Sequence, residues 1–544
     1  MSLTESEATQ ISAYFTNTDR PVFALTNLPE TVKGALFARY SRSPKSLRRL
    51  FLDEFYDAVG AGAGDPAVGA AEAADAAGGS GAVKSERAEK LYQRVFNDYG
   101  DDSVAQLGGV HLAVEDASNI LTKVLERGRL MAYLEQSTRY IPYTERRGDR
   151  WRYLVPAELD GHPLQEQYVS TLNAAFEIYA KWIPVMQEWF ASRHPKAASD
   201  SDAVYRAAIR AKALDTLRGM LPAATQSSVG MFGTGQAYET LLLRMRAHPL
   251  AEVRATADSM LVELRKVIPA FLTRVDQPDR GGRWSAYLED SRKRTVELAA
   301  RLTAEAAGAP ADEVSLTDFD PEGELKVVAA ALYAASAVSD RDAMATARGL
   351  TAADRESVLR AYVGDRTNRR HKPGRAFERT GYRFDILTDY GAFRDLQRHR
   401  LMTIDWQALS PRHGYVQPEA FVEAGGDRDW REVMDRSADL YDALAGAGFT
   451  DAAQYAVAMA YRVRFVMDMN AREAMHVIEL RTAPQGHPAY RRVCQRMHTL
   501  ISEVAGHHAI AGAMQFADHS HVELERLQEE RRIEQKRERS RAGQ

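Results

Sequence analysis

Arg398-His399-Arg400 puts three adjacent nitrogen donors at one point of the chain. Asp405-Trp406 follow, then Ser410-Pro411-Arg412-His413-Gly414-Tyr415. An earlier stretch has a similar make-up: Arg127-Gly128-Arg129, then Glu135-Gln136-Ser137-Thr138-Arg139-Tyr140. Cations followed by short polar side chains and another Arg suit a site that grips phosphate and the edge of a base. The planar guanidinium fork matches phosphate oxygens, and a neighbouring His can contact a ring or a second phosphate. On residue type alone, such triplets also form surface salt bridges at helix ends, the commoner outcome in an Arg-rich chain.

Asn470–Arg481 reads as a helix with polar groups on two faces. Asn470, Glu473 and Arg481 share roughly one face, and Arg472, His476 and Glu479 another. Simple core packing leaves only one polar face. An exposed helix laced by i,i+4 ion pairs is the other reading. Gly364–Arg375 is a strongly basic turn, able to reach phosphates or an acidic tail, or to stay solvated. The chain has one cysteine, Cys494, which reads as a small packed side chain.

The two Arg-rich stretches resemble the RHRxxSxNExSxRY signature of the flavin-dependent thymidylate synthases, the ThyX family. Asn470–Arg481 is similar to that family's NxRxxxxFLxLR element. The resemblance implies that Arg398, His399, Arg400, Asn470, Arg472 and His476 hold FAD. It implies that Glu135, Ser137, Arg139 and Arg218 hold a nucleotide, dUMP or a related pyrimidine nucleotide. Arg218 resembles the phosphate-binding Arg of an ARxxLP element that ends at Pro222. Arg481 and Arg244 resemble the base-activating Arg, which stabilises negative charge on uracil. The implied reaction is reductive methylation of dUMP to dTMP, with methylenetetrahydrofolate as carbon donor and NADPH as reductant of the flavin. That chemistry needs no reactive thiol.

Departures from the signature fall differently in the two halves. The first has Gly128, Ala132 and Leu134 where His, Ser and Asn are expected, and no NxR. The second has Thr403, Asp405, Trp406 and Ala408 for Ser, Asn, Glu and Ser, with Gln454 for the phosphate Arg. The first half keeps nucleotide-side residues and the second keeps flavin-side residues, so a fused pair can build one composite site. Three other outcomes fit an eroded signature: a flavoenzyme for another pyrimidine nucleotide, a non-catalytic nucleotide- or flavin-binding homologue, and a helical scaffold.

These residues need a frame that occurs twice. Each half has, in order, an Arg-x-Arg element, a helical region, an Arg-bearing helix and a His-Pro pair: Arg127–Arg129, Arg218, Arg244 and His248-Pro249, then Arg398–Arg400, Arg472, Arg481 and His487-Pro488. Apolar residues at helical spacing recur over Ala207–Leu221, Leu440–Ala445, Ala456–Met469 and Met497–Met514, while Trp151–Val155 and Tyr382–Leu387 read as strands. The expected fold is α+β and helix-rich: two fused ThyX-like units, each with a small twisted sheet packed by helices. The expected organisation is unit one at 1–303, with an Ala/Gly-rich insertion at 60–82, a linker at 304–324, unit two at 325–522 and a charged helical tail at 523–544. At 544 residues the chain has room for both. A net charge of -4 gives no support for nucleic-acid or membrane attraction. The start carries no secretory pattern and no apolar run approaches the ~20 residues that span a bilayer. A cytoplasmic homodimer, a pseudo-tetramer of ThyX-like units, is expected.

Overall fold

The structure, a computed structural model, describes residues 3–21, 23–40, 43–56, 106–139, 141–198, 200–304, 312–522 and scattered positions from 524 to 539. The expected insertion at 60–82, Tyr140 and most of the expected tail lie outside the described residues. Nine strands are described: β1 (Gly109–Ser118), β2 (Met131–Glu135), β3 (Arg146–Arg147), β4 (Arg150–Trp151), β5 (Gln226–Thr234), β6 (Val314–Phe319), β7 (Gly381–Asp389), β8 (Thr403–Trp406) and β9 (Arg462–Asn470). They form a sheet in the order β1-β5-β2, a β3-β4 pair and a four-stranded sheet β6-β7-β9-β8. The rest is mainly helix, as expected.

The chain forms two compact units. The first comprises residues 1–114, 130–134 and 229–304. Its charged interior contact is Arg274 on Glu239, a buried pair at 2.6 and 2.8 Å. The second comprises 115–129, 135–228 and 305–544, and contains the four-stranded sheet. There β7 and β9 run antiparallel, with Tyr382 opposite Met469, Phe384 opposite Met467 and Ile386 opposite Phe465. Those six side chains are buried and face one side, each worth about 1.5–3 kcal/mol in removed apolar surface. The helix Pro488–Glu503 packs on β6 and β7 through an apolar stripe that includes Cys494. That thiol is fully buried, which pushes its pKa to about 12.

The same element series occurs twice. β1, helix Asn119–Leu125, β2, helix Asp202–Leu217, the 3-10 turn Arg218–Met220, β5 and helix Gly235–Arg246 make one copy. β7, helix Tyr390–Leu396, β8, helix Asp427–Gly446, the 3-10 turn Ala452–Ala456, β9 and helix Ala471–Arg481 make the other. The segments after the two 3-10 turns pair with each other. Ala223 N–H donates to Val457 O and Met459 N–H to Leu221 O; Ala224 N–H donates to Tyr455 O and Ala460 N–H to Gly219 O. Each bond has its counterpart in the other copy, so this ladder has local two-fold symmetry.

Two expectations change. Ala456–Met469 reads as helix in sequence, yet Arg462–Asn470 is β9. Ala and Met favour helix, but Val463, Phe465, Met467 and Met469 bury every second residue, and the pairing with β7 decides the outcome. Within the expected linker, Val314–Phe319 forms β6 and pairs with β7.

Ser437 ties the long helix Asp427–Gly446 to the symmetric ladder. Its buried hydroxyl donates to Ala456 O and accepts from Ala458 N–H, both at 2.9 Å. Ser437→Ala leaves both backbone groups unsatisfied in a dry site. We expect a loss of about 1–3 kcal/mol, read as a lower urea midpoint at unchanged m-value.

Candidate functional site

The helix Tyr390–Leu396 is buried along all seven residues, although it carries Arg394 and Asp395. Its N-cap, Asp389, accepts from Ala392 N–H through Oδ1 at 2.9 Å. A wholly buried helix must pair its charges, and it does so with residues of both copies. Asp395 Oδ2 lies 3.5 Å from Arg218 Nη1, and its Oδ1 pairs with Arg398. Burial works against the Asp395 carboxylate, but Arg398, Arg218, Arg481 and Arg139 outweigh it and hold the carboxyl far below the usual range. Arg394 Nη2 donates to Glu135 Oε1 at 2.6 Å, and Lys123 Nζ to Glu135 Oε2 at 3.1 Å. Burial again opposes ionisation at Glu135, yet Arg394 and Lys123 bring that carboxyl down to about 2.

Arg139 is held through three of its own donors at once. Nε and Nη2 donate to Asp215 at 2.8 and 2.6 Å, and Nη1 to Tyr490 Oη at 3.2 Å. Tyr490 also lies under Arg481, 5.4 Å from ring centroid to guanidinium. Arg481 Nε donates to His399 Nε2 at 2.9 Å. Arg139 and His399, which the sequence assigns to different ligands, thus belong to one contiguous network inside a single chain.

Glu135, Ser137, Arg139 and Arg218 converge. With Arg394, Asp395 and Arg398 they line one cleft whose free space is about 20 Å³, about one water. Ser137 Oγ accepts from Arg139 N–H at 3.2 Å. Four guanidiniums stand around Asp395 and Asp215, a surplus of two positive charges once Arg394 is set against Glu135; a further carboxyl, Asp389, is pushed toward its protonated form by burial.

Among the residues assigned to FAD, Arg398 is bound to Asp395 and His399 to Arg481. His476 faces His399 with ring centroids 5.4 Å apart. Asn470 caps the helix Ala471–Arg481, accepting from Glu473 N–H at 2.9 Å, and Arg472 donates to Pro373 O at 2.9 Å. Arg400 is exposed. Within the basic turn, Arg366 forms a buried bidentate pair with Glu479 at 2.7 and 2.6 Å, so it is structural, whereas Lys372 and Arg369 act electrostatically on His476. Burial, then Lys372, lowers His476 to about 4, and burial raises Glu473 to about 7 against Lys372 and Arg472. Burial, then Arg481, holds His399 neutral, well below its ordinary pKa. His399, Glu473 and His476 offer ligand atoms within 4.8 Å of one another, a spacing open to a divalent metal. The surrounding cations oppose one, and the arrangement suits an anion's neighbourhood better.

Arg244 belongs to the first unit. Thr234 and Asn470 both cap their helices by accepting from the third residue on. In that register Met245, buried, stands where the second copy has Arg481, and Arg244 stands one position earlier. The same register shows how uneven the copies are. Glu135, Arg139, Asp215 and Arg218 correspond to Trp406, Ser410, Asp451 and Gln454; Arg394, Asp395, Arg398 and Arg481 correspond to Lys123, Val124, Arg127 and Met245. Five of the eight charges are gone from the reciprocal set. Sequence reasoning missed Asp215, Asp395, Arg394 and Tyr490. The one signal was the Arg394-Asp395 pair inside the apolar run Tyr390–Leu396.

A family comparison fits this doubled arrangement. A family profile described as "Thymidylate synthase complementing protein" matches residues 63–270 and again 315–506. The UPF0159 protein of Chlamydia muridarum is 35% identical over 530 residues, covering 96% of this chain and 97% of its own. A flavin-dependent thymidylate synthase of Clostridium tetani is 24% identical over 188 residues, 34% of this chain and 70% of that one. A solved UMP/dUMP methylase from Streptomyces cacaoi, bound with 5-Br dUMP, is 18% identical with a TM-score of 0.30, covering 38% of this chain and 96% of that one.

Asp215→Ala leaves the Arg139 guanidinium buried and without its carboxylate. We expect a loss of about 3–5 kcal/mol in chemical unfolding, and little loss from Asp451→Ala, its counterpart in the reciprocal set. A second expectation concerns pH. Glu473, raised in the fold, contributes stability below pH 4.5 that is lost as pH rises through about 7. His476, lowered in the fold, contributes stability above pH 6.5 that is lost as pH falls through about 4. The two slopes oppose each other between these limits. Glu473→Gln should therefore expose a loss of stability on acidification from pH 6.5, and His476→Gln a loss on raising pH from 4.5 to 7. Urea midpoints across pH check both signs.

Proposed function

Because the chain belongs to the thymidylate synthase complementing protein family, we propose that it is a flavin-dependent nucleotide methylase that converts dUMP to dTMP. Methylenetetrahydrofolate serves as carbon donor and NADPH as reductant. The observation that carries this reading is the cationic surplus around Asp395, drawn from both copies: Arg139 and Arg218 from one, Arg398 and Arg481 from the other. A phosphate monoester carries about −1.5 to −2 charges at neutral pH, which such a surplus matches. An isolated copy would lack half of it. We read the chain as two repeats, 1–303 and 325–522, working as a cytoplasmic homodimer with one composite site per chain.

Glu135, Ser137, Arg139 and Arg218 hold the nucleotide in this scheme. Arg218 grips the phosphate, since its Nη2 has no hydrogen-bond partner although the side chain is 4% exposed. Arg139 must loosen from Asp215 to join it. Arg481 steadies negative charge on the uracil ring, with Arg244 as the first copy's lesser counterpart. Arg398, His399, Arg400, Asn470, Arg472 and His476 bind FAD. The residues fit that group: Lys372, Arg369 and Arg472 beside His476 favour a pyrophosphate, and of the carboxyls near them Glu473 is pushed up to about 7 by burial and Glu479 is taken by Arg366, while Glu378 lies 3.6 Å from Arg472. When bound, the reduced flavin supplies the hydride. His399 remains neutral with its proton on Nδ1, because Nε2 accepts from Arg481. It can therefore donate a hydrogen bond without repelling the cations around it.

A second reading has its own observation. The Arg139 fork is fully taken by Asp215 and the cleft has room for about one water. That favours a homologue without turnover, or a helical scaffold. Tritium release from 5-labelled dUMP, with NADPH and methylenetetrahydrofolate present, separates these from the synthase. For the composite site, Arg139→Gln should abolish dUMP binding and keep the flavin absorbance of the purified protein. Loss of both together would argue against the split between nucleotide and flavin residues.

A further inference from the structure

Asp215 faces two ways. Its carboxylate takes the Arg139 fork, with Nε donating at 2.8 Å and Nη2 at 2.6 Å. Arg139 lines the narrow cleft, which has room for about one water. Asp215 borders a second cavity, of about 690 Å³, which Lys212, Thr216 and Arg218 also line. Lys212 stands three residues before Asp215 on the helix Asp202–Leu217, and residues at that spacing are neighbours on a helix surface. A change of rotamer therefore carries the Asp215 carboxylate from Arg139 toward Lys212, and the cavity gives it room.

A buried carboxylate cannot leave one cation unless another receives it, and Asp215 is buried. In the second copy Asp451 keeps the acid, but Ser410 stands for Arg139 and Gly448 for Lys212. Between the two copies, an acid with a cation on either side is kept only beside the cationic centre. Charge then decides what can take the place of Asp215 on Arg139. A neutral group loses the charge-assisted part of both bonds. A phosphodiester brings one negative charge, no more than the carboxylate it displaces. A phosphate monoester brings about −1.5 to −2.

We propose that Asp215 is a built-in rival of the ligand's phosphate, an inference that rests on the nucleotide reading above. It keeps the Arg139 fork in the empty site, yields it to a dianionic phosphate monoester, and then pairs with Lys212 at the cavity wall. It acts on the ligand only through Arg139, as a positioning residue. The occupied fork is thus a latch. It lowers the affinity of every ligand by one common factor, the share of molecules in which Arg139 is released. Only a ligand that brings more charge than it displaces regains that factor. The site therefore takes free mononucleotides, and not nucleosides or uridines held in a polynucleotide.

The test is isothermal titration of the full-length protein, at about pH 8 where the monoester is a dianion, with dUMP and with the methyl ester of its phosphate. Wild type should bind dUMP at least ~10-fold more tightly than the ester. Asp215→Asn removes the rival charge and should tighten both ligands at least ~10-fold. Lys212→Met removes the receiving cation and should weaken dUMP about 3-fold in wild type. In the Asp215→Asn background it should change nothing, because no carboxylate is left to receive. A merely electrostatic Lys212 would weaken dUMP equally in both backgrounds, and that result overturns the proposal. So does an ester bound as tightly as dUMP, or an Asp215→Asn that binds dUMP no more tightly than wild type; with dUMP still bound, the nucleotide reading then stands alone. If neither wild type nor Asp215→Asn binds dUMP or the ester, both fall. A circular dichroism spectrum matching wild type checks the fold of Asp215→Asn. If that variant does not fold, a crystal structure of the wild-type dUMP complex decides instead: Asp215 turned to Lys212 supports the latch, and Asp215 still on Arg139 overturns it.

Discussion

Asp395 is a buried carboxylate that cannot exist without its cations, and they cannot be packed together without it. Four guanidiniums gathered around one point repel one another, even with Arg139 and Arg218 buried, Arg481 half-buried and Arg398 exposed. Asp395 and Asp215 make that gathering tolerable while leaving it positive. The site's position follows: Arg218 at the turn before β5, Arg398 after the buried helix, Arg481 at the end of the helix after β9 and Arg139 beyond β2 must all reach one point. The symmetric ladder between residues 219–224 and 455–460 sets the two copies at that distance. The burial of Tyr390–Leu396 keeps water from Asp395, while Arg398 stays exposed.

Much of the frame was legible in the sequence. The helix excess, the sheet strand at Tyr382–Leu387 and the doubled order of motifs all follow from period and spacing. β9 was not, because its Ala and Met residues favour helix until pairing with β7 is known; a nine-residue ladder outweighs a propensity worth tenths of a kcal/mol per residue. β6 was hidden in a Pro/Asp/Glu-rich stretch whose Val314 and Leu316 look too sparse for a strand alone.

The candidate site was half legible, and the missing half has one physical character. The sequence motifs name cations, because Arg-rich runs stand out. They do not name the carboxylates that receive them, since Asp215 and Glu479 sit in helical stretches 76 and 113 residues from Arg139 and Arg366, and Asp395 sits in an apolar run three residues before Arg398. Arg366 illustrates the consequence: a basic turn reads as a phosphate binder or a solvated loop, but its Arg366 is consumed by Glu479 in a fully buried pair. Cation count in a motif says little about free charge until the acids are placed.

Duplication explains why, among the described residues, only one of the two reciprocal sets keeps its central acid. In a symmetric pair of copies, each set of guanidiniums would be matched by a reciprocal set, and each would need its own central carboxylate. Here Asp395 has Val124 as its counterpart, and Arg139, Arg218 and Arg481 have Ser410, Gln454 and Met245. A cationic cluster without its acid is costly, so loss of the acid on one side favours loss of the cations there too. Arg127 and Arg398 show the residue of that process: Arg398 is fixed on buried Asp395, while Arg127 has moved outward to exposed Asp405 and lies over Trp406, the side chain that took Glu135's place. The asymmetry is coordinated across residues far apart in sequence, which is the pattern expected when charge balance, not individual contacts, constrains what each copy can keep.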